Sequence, residues 1–149
     1  MVFLLTVPLP TINNTCVISS PSFVNLSSGQ IPLNVFPQTG LTSLGVTNFS
    51  IGGAPTNTID QVIITGVWNS DNDATNESPS FSLEGTQLGF LPTGGGSCNE
   101  NTFTFTISTL LYNTVAADGV LDFSVGADPS VGSNCSMDYI DVDLSLIHI

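Results

Sequence analysis

The segment of residues 69–77, Asn-Ser-Asp-Asn-Asp-Ala-Thr-Asn-Glu, holds the side chains best suited to bind a metal ion. Calcium takes about six to eight oxygen ligands, and acidic residues along a loop can supply several of them. Asp71, Asp73 and Glu77 therefore form a candidate Ca²⁺ site, to which Asn69 or a backbone carbonyl would add a further oxygen. The segment lacks the glycine and the distal bidentate glutamate of an EF-hand loop. Because Asn and Asp also favour turns, a solvated turn is the alternative interpretation.

Three cysteines, Cys16, Cys98 and Cys135, define the possible disulfide chemistry. Cys98 and Cys135 both border strand-like segments, where a covalent bond would join neighbouring strands. Such a pair forms a disulfide in a secreted protein, whereas it would stay as buried thiols in the cytosol. The composition favours secretion, so we predict a Cys98–Cys135 disulfide. Cys16 is then left over, and we expect its partner to lie outside this chain.

Catalysis by an activated nucleophile requires a base, and the chain has a single histidine, His148. Ser–His–Asp and Cys–His arrangements need that base beside the nucleophile. No group of His and Cys residues has the spacing of a zinc site. Glycoside hydrolysis requires only two carboxylates, but no acidic residue here lies in an aromatic-rich stretch typical of a sugar cleft. The sequence therefore predicts a protein that is not an enzyme and has no catalytic residues.

The charge balance excludes several classes of partner. The chain has no Lys or Arg and 12 Asp and Glu, which gives a net charge of −12. Binding to nucleic acid or to anionic lipid depends on basic side chains. No apolar run reaches the roughly 18 residues of a membrane-spanning helix. We therefore expect no nucleic-acid binding and no membrane insertion, while neutral ligands, cations and protein surfaces remain as partners.

Three aromatic residues, Trp68, Tyr112 and Tyr139, are candidates for stacking on a sugar. Only exposed, coplanar rings form such a platform, whereas a tryptophan on an apolar strand more often packs in the core. Trp68 ends the most apolar segment, residues 61–68, and is therefore expected in the core. Tyr139 lies beside a predicted core strand, and the sequence leaves the position of Tyr112 open.

Alternating apolar and polar residues indicate β-strands from about residue 45 onwards. Residues 81–91 predict a hairpin that turns at Gly85, and residues 108–117 are the only helical candidate. About seven or eight strands, each with one apolar face, predict an all-β fold, an antiparallel β-sandwich. Both a jelly roll and an immunoglobulin-like Greek key fit this strand count. The predicted core consists of Phe49, Val62, Ile64, Phe81, Leu83, Phe103, Phe105, Leu121, Phe123 and Val142.

The two ends of the sequence differ from its middle. Residues 1–44 are rich in Pro, Ser, Asn and Gly and are interpreted as a linker or the remnant of a preceding module, with the sandwich module at residues 45–149. The six residues from Leu144 to Ile149, Leu-Ser-Leu-Ile-His-Ile, resemble the in-frame translation of a transposase adapter used in sequencing libraries. If this resemblance is correct, His148 does not belong to the natural protein, which continues beyond about Asp143.

A family resemblance covers roughly residues 45–144. It is carried by Gly-Val-Trp-Asn-Ser-Asp-Asn-Asp at residues 66–73, Phe-Ser-Leu-Glu-Gly-Thr-Gln-Leu-Gly at 81–89, Gly-Gly-Ser-Cys at 95–98, Thr-Phe-Thr-Phe-Thr-Ile at 102–107, Ala-Asp-Gly-Val-Leu-Asp-Phe-Ser-Val at 117–125 and Asn-Cys at 134–135. This series resembles the Ser/Thr/Asn-rich β-sandwich modules repeated in large secreted and adhesin-like bacterial surface proteins. The resemblance implies an extracellular, multi-domain parent and transfers no catalytic residue.

Three functions are consistent with these features, and one of them is a fibre module of a phage or virus. The first is a non-catalytic structural or adhesive module of a secreted or cell-surface protein, with the neighbouring modules of the same chain, and a glycan or protein ligand, as partners. The alternative is a carbohydrate-binding module of a secreted hydrolase, which requires exposed aromatic rings or a polar groove. No cofactor other than Ca²⁺ is predicted.

Overall fold

A computed structural model describes residues 22–38, 41–56, 59–71, 77–93, 96, 98–132, 135 and 137–148. These residues form twelve β-strands and one short α-helix, α1 (Thr109–Val115), which continues into a 3₁₀ turn (Ala116–Asp118). The strands are β1 (Ser22–Ser27), β2 (Ile31–Pro32), β3 (Val35–Gln38), β4 (Leu41–Leu44), β5 (Thr47–Gly52), β6 (Gln61–Ser70), β7 (Ser80–Leu83), β8 (Thr86–Phe90), β9 (Asn99–Ile107), β10 (Val120–Val125), β11 (Asp128–Gly132) and β12 (Tyr139–His148).

Two antiparallel sheets form the sandwich. The first has the order β1-β12-β6-β9, with β2 also paired to β12, and the second has the order β5-β10-β7-β8. Numbered one to eight along the chain, the eight strands of these two paths have the orders 1-8-3-6 and 2-7-4-5. This is the strand arrangement of a jelly roll, in which two Greek keys fold into two sheets. The structure therefore confirms the predicted antiparallel sandwich and decides between the two topologies that the sequence left open.

Apolar side chains at every second position of the strands form the core between the two sheets. Every second residue of β5, β7 and β10 is buried, as a strand with one face on the core requires. Rings from both sheets meet at Phe81, which contacts Phe103 and Phe105 of the opposite sheet. Of the ten predicted core residues, nine are buried and Phe105 is half-buried. Trp68 has no exposed surface, and its indole N–H donates a 3.1 Å hydrogen bond to the carbonyl oxygen of Pro92.

The predicted hairpin is formed by β7 and β8. Its two-residue turn places both Glu84 and Gly85 in the left-handed region, with φ of 49° and 72°. Two-residue turns with positive φ match the twist of antiparallel strands, and glycine at the second position carries no steric cost. The helical segment is also short, as the sequence indicates: α1 has about two turns, and the 3₁₀ turn that follows it ends before Gly119.

Gly66 lies on β6 in close contact with both neighbouring strands, β12 and β9. A Cβ atom built there would lie 2.3 Å from the backbone oxygen of Asp141 and 2.6 Å from the ring of Phe103. Neither distance is compatible with a real side chain, so one of the two strands would have to shift.

Replacing Gly66 with alanine is therefore expected to lower the free energy of unfolding by about 1–3 kcal/mol, the range for an overpacked interior site. Gly52→Ala is the matched control, since a Cβ at Gly52 meets nothing within 4 Å. Chemical denaturation of both variants is the measurement. Equal stability of the two variants would contradict the close approach at Gly66.

Strands from residues 22–44 belong to the same sheets as the rest of the fold. β1 pairs with β12 along its whole length, and β3 and β4 form a small third sheet with β11. The sequence places a domain boundary after residue 44, but these pairings cross it. Pro32 and Pro37 lack a donor N–H, which keeps their strands short without preventing edge pairing. Residues 1–21 lie outside the described residues.

The segment from Leu144 to His148 forms the second half of β12, between β1 and β6. Leu144 and Leu146 are fully buried, and the Nδ1 atom of His148 lies 3.2 Å from Oδ2 of Asp60. The Leu-Ser-Leu-Ile alternation suits a strand with one buried face. An adapter origin of these residues remains a prediction, which resequencing of the source DNA would test.

Candidate functional site

The predicted calcium-binding segment follows β6 at one end of the sandwich. Asp71 directly follows that strand and is partly buried, while Glu77 is buried at the far side of the segment. Asp73 lies outside the described residues. Among the described residues, no group of three or more His, Cys, Asp and Glu side chains is placed to hold a metal ion. The Ca²⁺ site at Asp71, Asp73 and Glu77 therefore stays a prediction.

Adding or removing Ca²⁺ distinguishes a calcium site in this segment from a solvated turn. A site that binds only the folded state raises the free energy of unfolding by about 2.7 kcal/mol when Ca²⁺ is present at 100 times its dissociation constant. A solvated turn predicts the same melting temperature in CaCl₂ and in EDTA. Thermal melts of the full chain in Ca²⁺, Mg²⁺ and EDTA measure the difference.

Asp138 lies beside this segment, although the sequence did not single it out. The buried hydroxyl of Ser70 donates a 2.8 Å hydrogen bond to Oδ1 of Asp138. Burial raises the pKa of Asp138; the bond from Ser70 opposes that shift, and the nearby carboxylate of Asp71 adds to it. The pairing of β6 with β12 brings the end of one strand to the start of the other, a contact that no local pattern encodes.

The raised pKa of Asp138 predicts a pH-dependent stability. The folded state binds this proton more readily than the unfolded state, so the stability contributed by Asp138 increases as the pH falls through the folded-state pKa. Asp138→Asn keeps an acceptor for Ser70 and removes the charge. We expect the variant to be more stable than the parent at pH 7 in EDTA and to gain less stability between pH 7 and about pH 4, near the ordinary pKa of an aspartate.

Asp143→Asn is the control, because it removes one charge from an exposed position of β12, the strand that begins directly after Asp138. Denaturation midpoints at both pH values are compared. A loss of stability in Asp138→Asn at pH 7 would mean that the charged carboxylate stabilises the fold.

The predicted disulfide between Cys98 and Cys135 is present, with Cα atoms 5.3 Å apart. Hydrogen bonds next to the disulfide join β6 to the segment before β9. The backbone N–H of Cys98 donates to the carbonyl oxygen of Ser70, and the amide of Asn69 donates to the carbonyl oxygen of Cys98. The disulfide thus closes the end of the sandwich that also carries Asp71 and Asp138.

The three candidate sugar-stacking rings are all buried. Trp68 and Tyr112 have no exposed surface, and 6% of Tyr139 is exposed. The hydroxyl of Tyr112 donates a 2.9 Å hydrogen bond to the carbonyl oxygen of Pro55. The hydroxyl of Tyr139 donates to Glu100, and this bond raises the pKa of Tyr139. The expectation that Trp68 packs in the core is confirmed, and the side chains of Tyr112 and Tyr139 also pack into the protein.

Two shallow depressions lie on the outer faces of the sheets. The larger, of about 490 Å³, lies on the second sheet beside Glu84 and Asp122. Both carboxylates there bind the scaffold: Glu84 accepts from the backbone N–H of Asp122, and Asp122 accepts from the Ser50 hydroxyl. The smaller, of about 350 Å³, lies on the first sheet, across β12, β6 and β9. Sequence reasoning found neither depression, because each is built from strands distant along the chain.

The strand order, the disulfide and the two polar outer faces define the class of the protein, a jelly-roll β-sandwich module. No protein-family model matches the sequence, and no curated protein matches it. Among solved structures, the chain is similar to the native structure of a family 35 carbohydrate binding module from Clostridium thermocellum, with 12% sequence identity and a TM-score of 0.43. The match covers 85% of this chain and 98% of that one. At this similarity, no property of that module transfers to this chain.

The helical content of the described residues is small. The one α-helix there has seven residues, and no helix is long and apolar enough to span a membrane.

Proposed function

We propose that this chain is a non-catalytic module of a larger secreted or cell-surface protein, with a structural or adhesive role. The Cys98–Cys135 disulfide is the observation that carries the proposal. Disulfides form and persist in oxidising compartments and are rare in the cytosol. The resemblance of residues 45–144 to the modules of bacterial surface proteins supports the same placement.

The chemistry of the described residues supports a module without catalysis. Two of the three cysteines are joined in the disulfide and cannot act as nucleophiles. The single histidine lies beside Asp60 at the edge of the fold. Each of the two depressions contains two carboxylates, and those of Glu84 and Asp122 already accept hydrogen bonds from the scaffold.

Long-read sequencing of the source DNA through both ends of the coding frame tests this proposal. We expect a secretion signal upstream and further β-modules or a sorting domain downstream. A frame that encodes a small cytosolic protein would overturn the proposal. A frame that continues into a catalytic domain would favour the alternative, a carbohydrate-binding module.

That alternative is favoured by one observation, the depression on the first sheet. Its lining includes three threonine hydroxyls and two carboxylates. A platform of stacked rings does not support it, because Trp68, Tyr112 and Tyr139 are buried. Binding would therefore depend on hydrogen bonds in a polar groove, and a glycan array tests for it. Signals at background for every glycan would remove the alternative.

A further inference from the structure

The depression on the first sheet has a regular composition, which follows from the strand register. Asp143 of β12 pairs with Thr65 of β6, which pairs with Thr104 of β9. The neighbouring row consists of Asp141, Val67 and Thr102, because successive outward-facing residues are two apart along each strand. We call these six residues, Thr65, Val67, Thr102, Thr104, Asp141 and Asp143, the Thr–Asp groove.

The size of the Thr–Asp groove suits a short carbohydrate. Three strands spaced about 4.8 Å apart make each row roughly 10 Å long, and the two rows are separated by roughly 7 Å. Two linked pyranose rings occupy a comparable length. The groove is open to solvent at Thr65, Thr102, Thr104 and Asp143, which are exposed, while Val67 and Asp141 are half-buried at its floor.

One atom of the groove lacks a partner among the described residues. Oδ1 of Asp141 is buried and accepts no hydrogen bond from them. Leaving a buried acceptor unsatisfied is unfavourable, and more so when the group is charged. A change of the χ1 torsion of Asp141 that turns this oxygen into the depression would let a ligand hydroxyl donate to it and supply the missing interaction. The groove is therefore prepared for a hydrogen-bond donor.

Charge and hydrogen-bonding capacity indicate which donor fits best. The chain has a net charge of −12 and no Lys or Arg, so an acidic glycan would be repelled. Carboxylates accept hydrogen bonds from sugar hydroxyls, and threonine hydroxyls both donate and accept. An ammonium or metal cation would use the two carboxylates but could not use the donor capacity of Thr65, Thr102 and Thr104. The side chain of Val67 offers an apolar contact to the face of a sugar ring.

We infer that the Thr–Asp groove binds neutral oligosaccharides, with Asp141 and Asp143 accepting hydrogen bonds from sugar hydroxyls and the threonines completing the polar contacts. The inference rests on the carbohydrate-binding alternative and names its site. Because no ring stacks on the ligand, the affinity of one module is modest, and repeated modules would strengthen attachment through multivalency.

The test uses the full oxidised chain and soluble polysaccharides. Affinity electrophoresis and titration calorimetry are carried out with xyloglucan, mixed-linkage β-glucan, galactomannan and, as the acidic probe, polygalacturonate. We expect binding to at least one neutral polymer, no binding to polygalacturonate, and little change in 1 M NaCl, because a neutral ligand carries no charge to screen. Failure to bind any polymer, together with an empty glycan array, would overturn both the inference and the alternative function.

Isosteric variants locate the site. Asp141→Asn/Asp143→Asn keeps the side-chain shapes and removes the charge that strengthens hydrogen bonds, so binding should weaken about tenfold. Glu84→Gln/Asp122→Asn makes the same change on the opposite outer face and should leave affinity unchanged. Equal weakening by both double variants, or by neither, would overturn the placement in the groove even if glycan binding is real.

Methyl NMR provides a readout that does not depend on variants. We expect the ligand to shift the methyl signals of Val67, Thr102 and Thr104 and to leave those of the core residues Leu83 and Leu121 in place. Shifts confined to other residues would place the binding site outside the Thr–Asp groove and overturn the inference. Binding only to polylysine, lost in 1 M NaCl, would identify the face as an electrostatic surface for cations and overturn the inference.

Discussion

Replacing Phe81 with alanine is expected to lower the free energy of unfolding by about 3–5 kcal/mol, the range for a buried phenylalanine. Phe81 is fully buried, and its ring contacts rings from both sheets of the sandwich. The centroid separations are 5.3 Å to Phe103, 5.5 Å to Phe105 and 5.6 Å to Phe123. Truncation would leave a cavity where the sheets meet, and rigid β-strands on both sides can close it only in part.

Phe90→Ala is the matched control for this prediction. Phe90 lies on β8, the strand paired with the strand of Phe81, but its side chain is 61% exposed. The same change of residue there should cost less than about 1 kcal/mol, because little apolar surface is lost from the interior. Urea denaturation of the two variants gives the comparison. Similar costs would show that the aromatic cluster does not join the two sheets.

Removing the disulfide is expected to lower the free energy of unfolding by about 2–4 kcal/mol. Cys98 and Cys135 are separated by 37 residues, so the bond restricts a long loop in the unfolded chain. In the folded state the bond closes the end of the sandwich at Asn69 and Ser70, where it also holds the hydrogen bonds made by Cys98. The double variant Cys98→Ala/Cys135→Ala tests both contributions together.

A Cys16→Ala background makes this experiment unambiguous, since only one pair of cysteines then remains. In that background, reduction should lower the denaturation midpoint to the value of the triple alanine variant. The triple variant itself should not respond to reductant. If reduction leaves the midpoint of the Cys16→Ala protein unchanged, the disulfide does not stabilise the fold.

The local part of the fold was predictable from the sequence, and the non-local part was not. The β7–β8 hairpin follows from alternation on either side of Gly85, and the interior position of β6 follows from its apolar composition. The choice of a jelly roll depends on β12 lying between β1 and β6, and the residues that pair β12 with β1 are more than a hundred positions apart. β1 was missed because its sequence, Ser-Phe-Val-Asn-Leu-Ser, leaves no residue fully buried and gives a weak strand pattern.

The candidate site also has a part that could be predicted from the sequence and a part that could not. The Cys98–Cys135 pair was predicted from strand-like neighbours and composition, and it is formed. Asp138 and the Thr–Asp groove were missed because their residues come together only when β12 pairs with β6. Single aspartates and threonines on alternating strands carry no local signal of a shared surface. The acidic segment at residues 69–77, by contrast, was predicted to bind a metal from its composition alone, and its metal binding stays a prediction.

The pairing of β1 with β12 has a mechanical consequence. Ser22 at the start of β1 is paired with His148 at the end of β12, so a chain that enters at one and leaves at the other does so at adjacent points. Tension applied to these two points would open the pairing one residue pair at a time, like a zipper, instead of shearing the strands along their length. A module tethered at these two points would lie beside the neighbouring modules of a larger protein and would add little to their combined length. Such an attachment suits the display of a surface more than the spacing of neighbours.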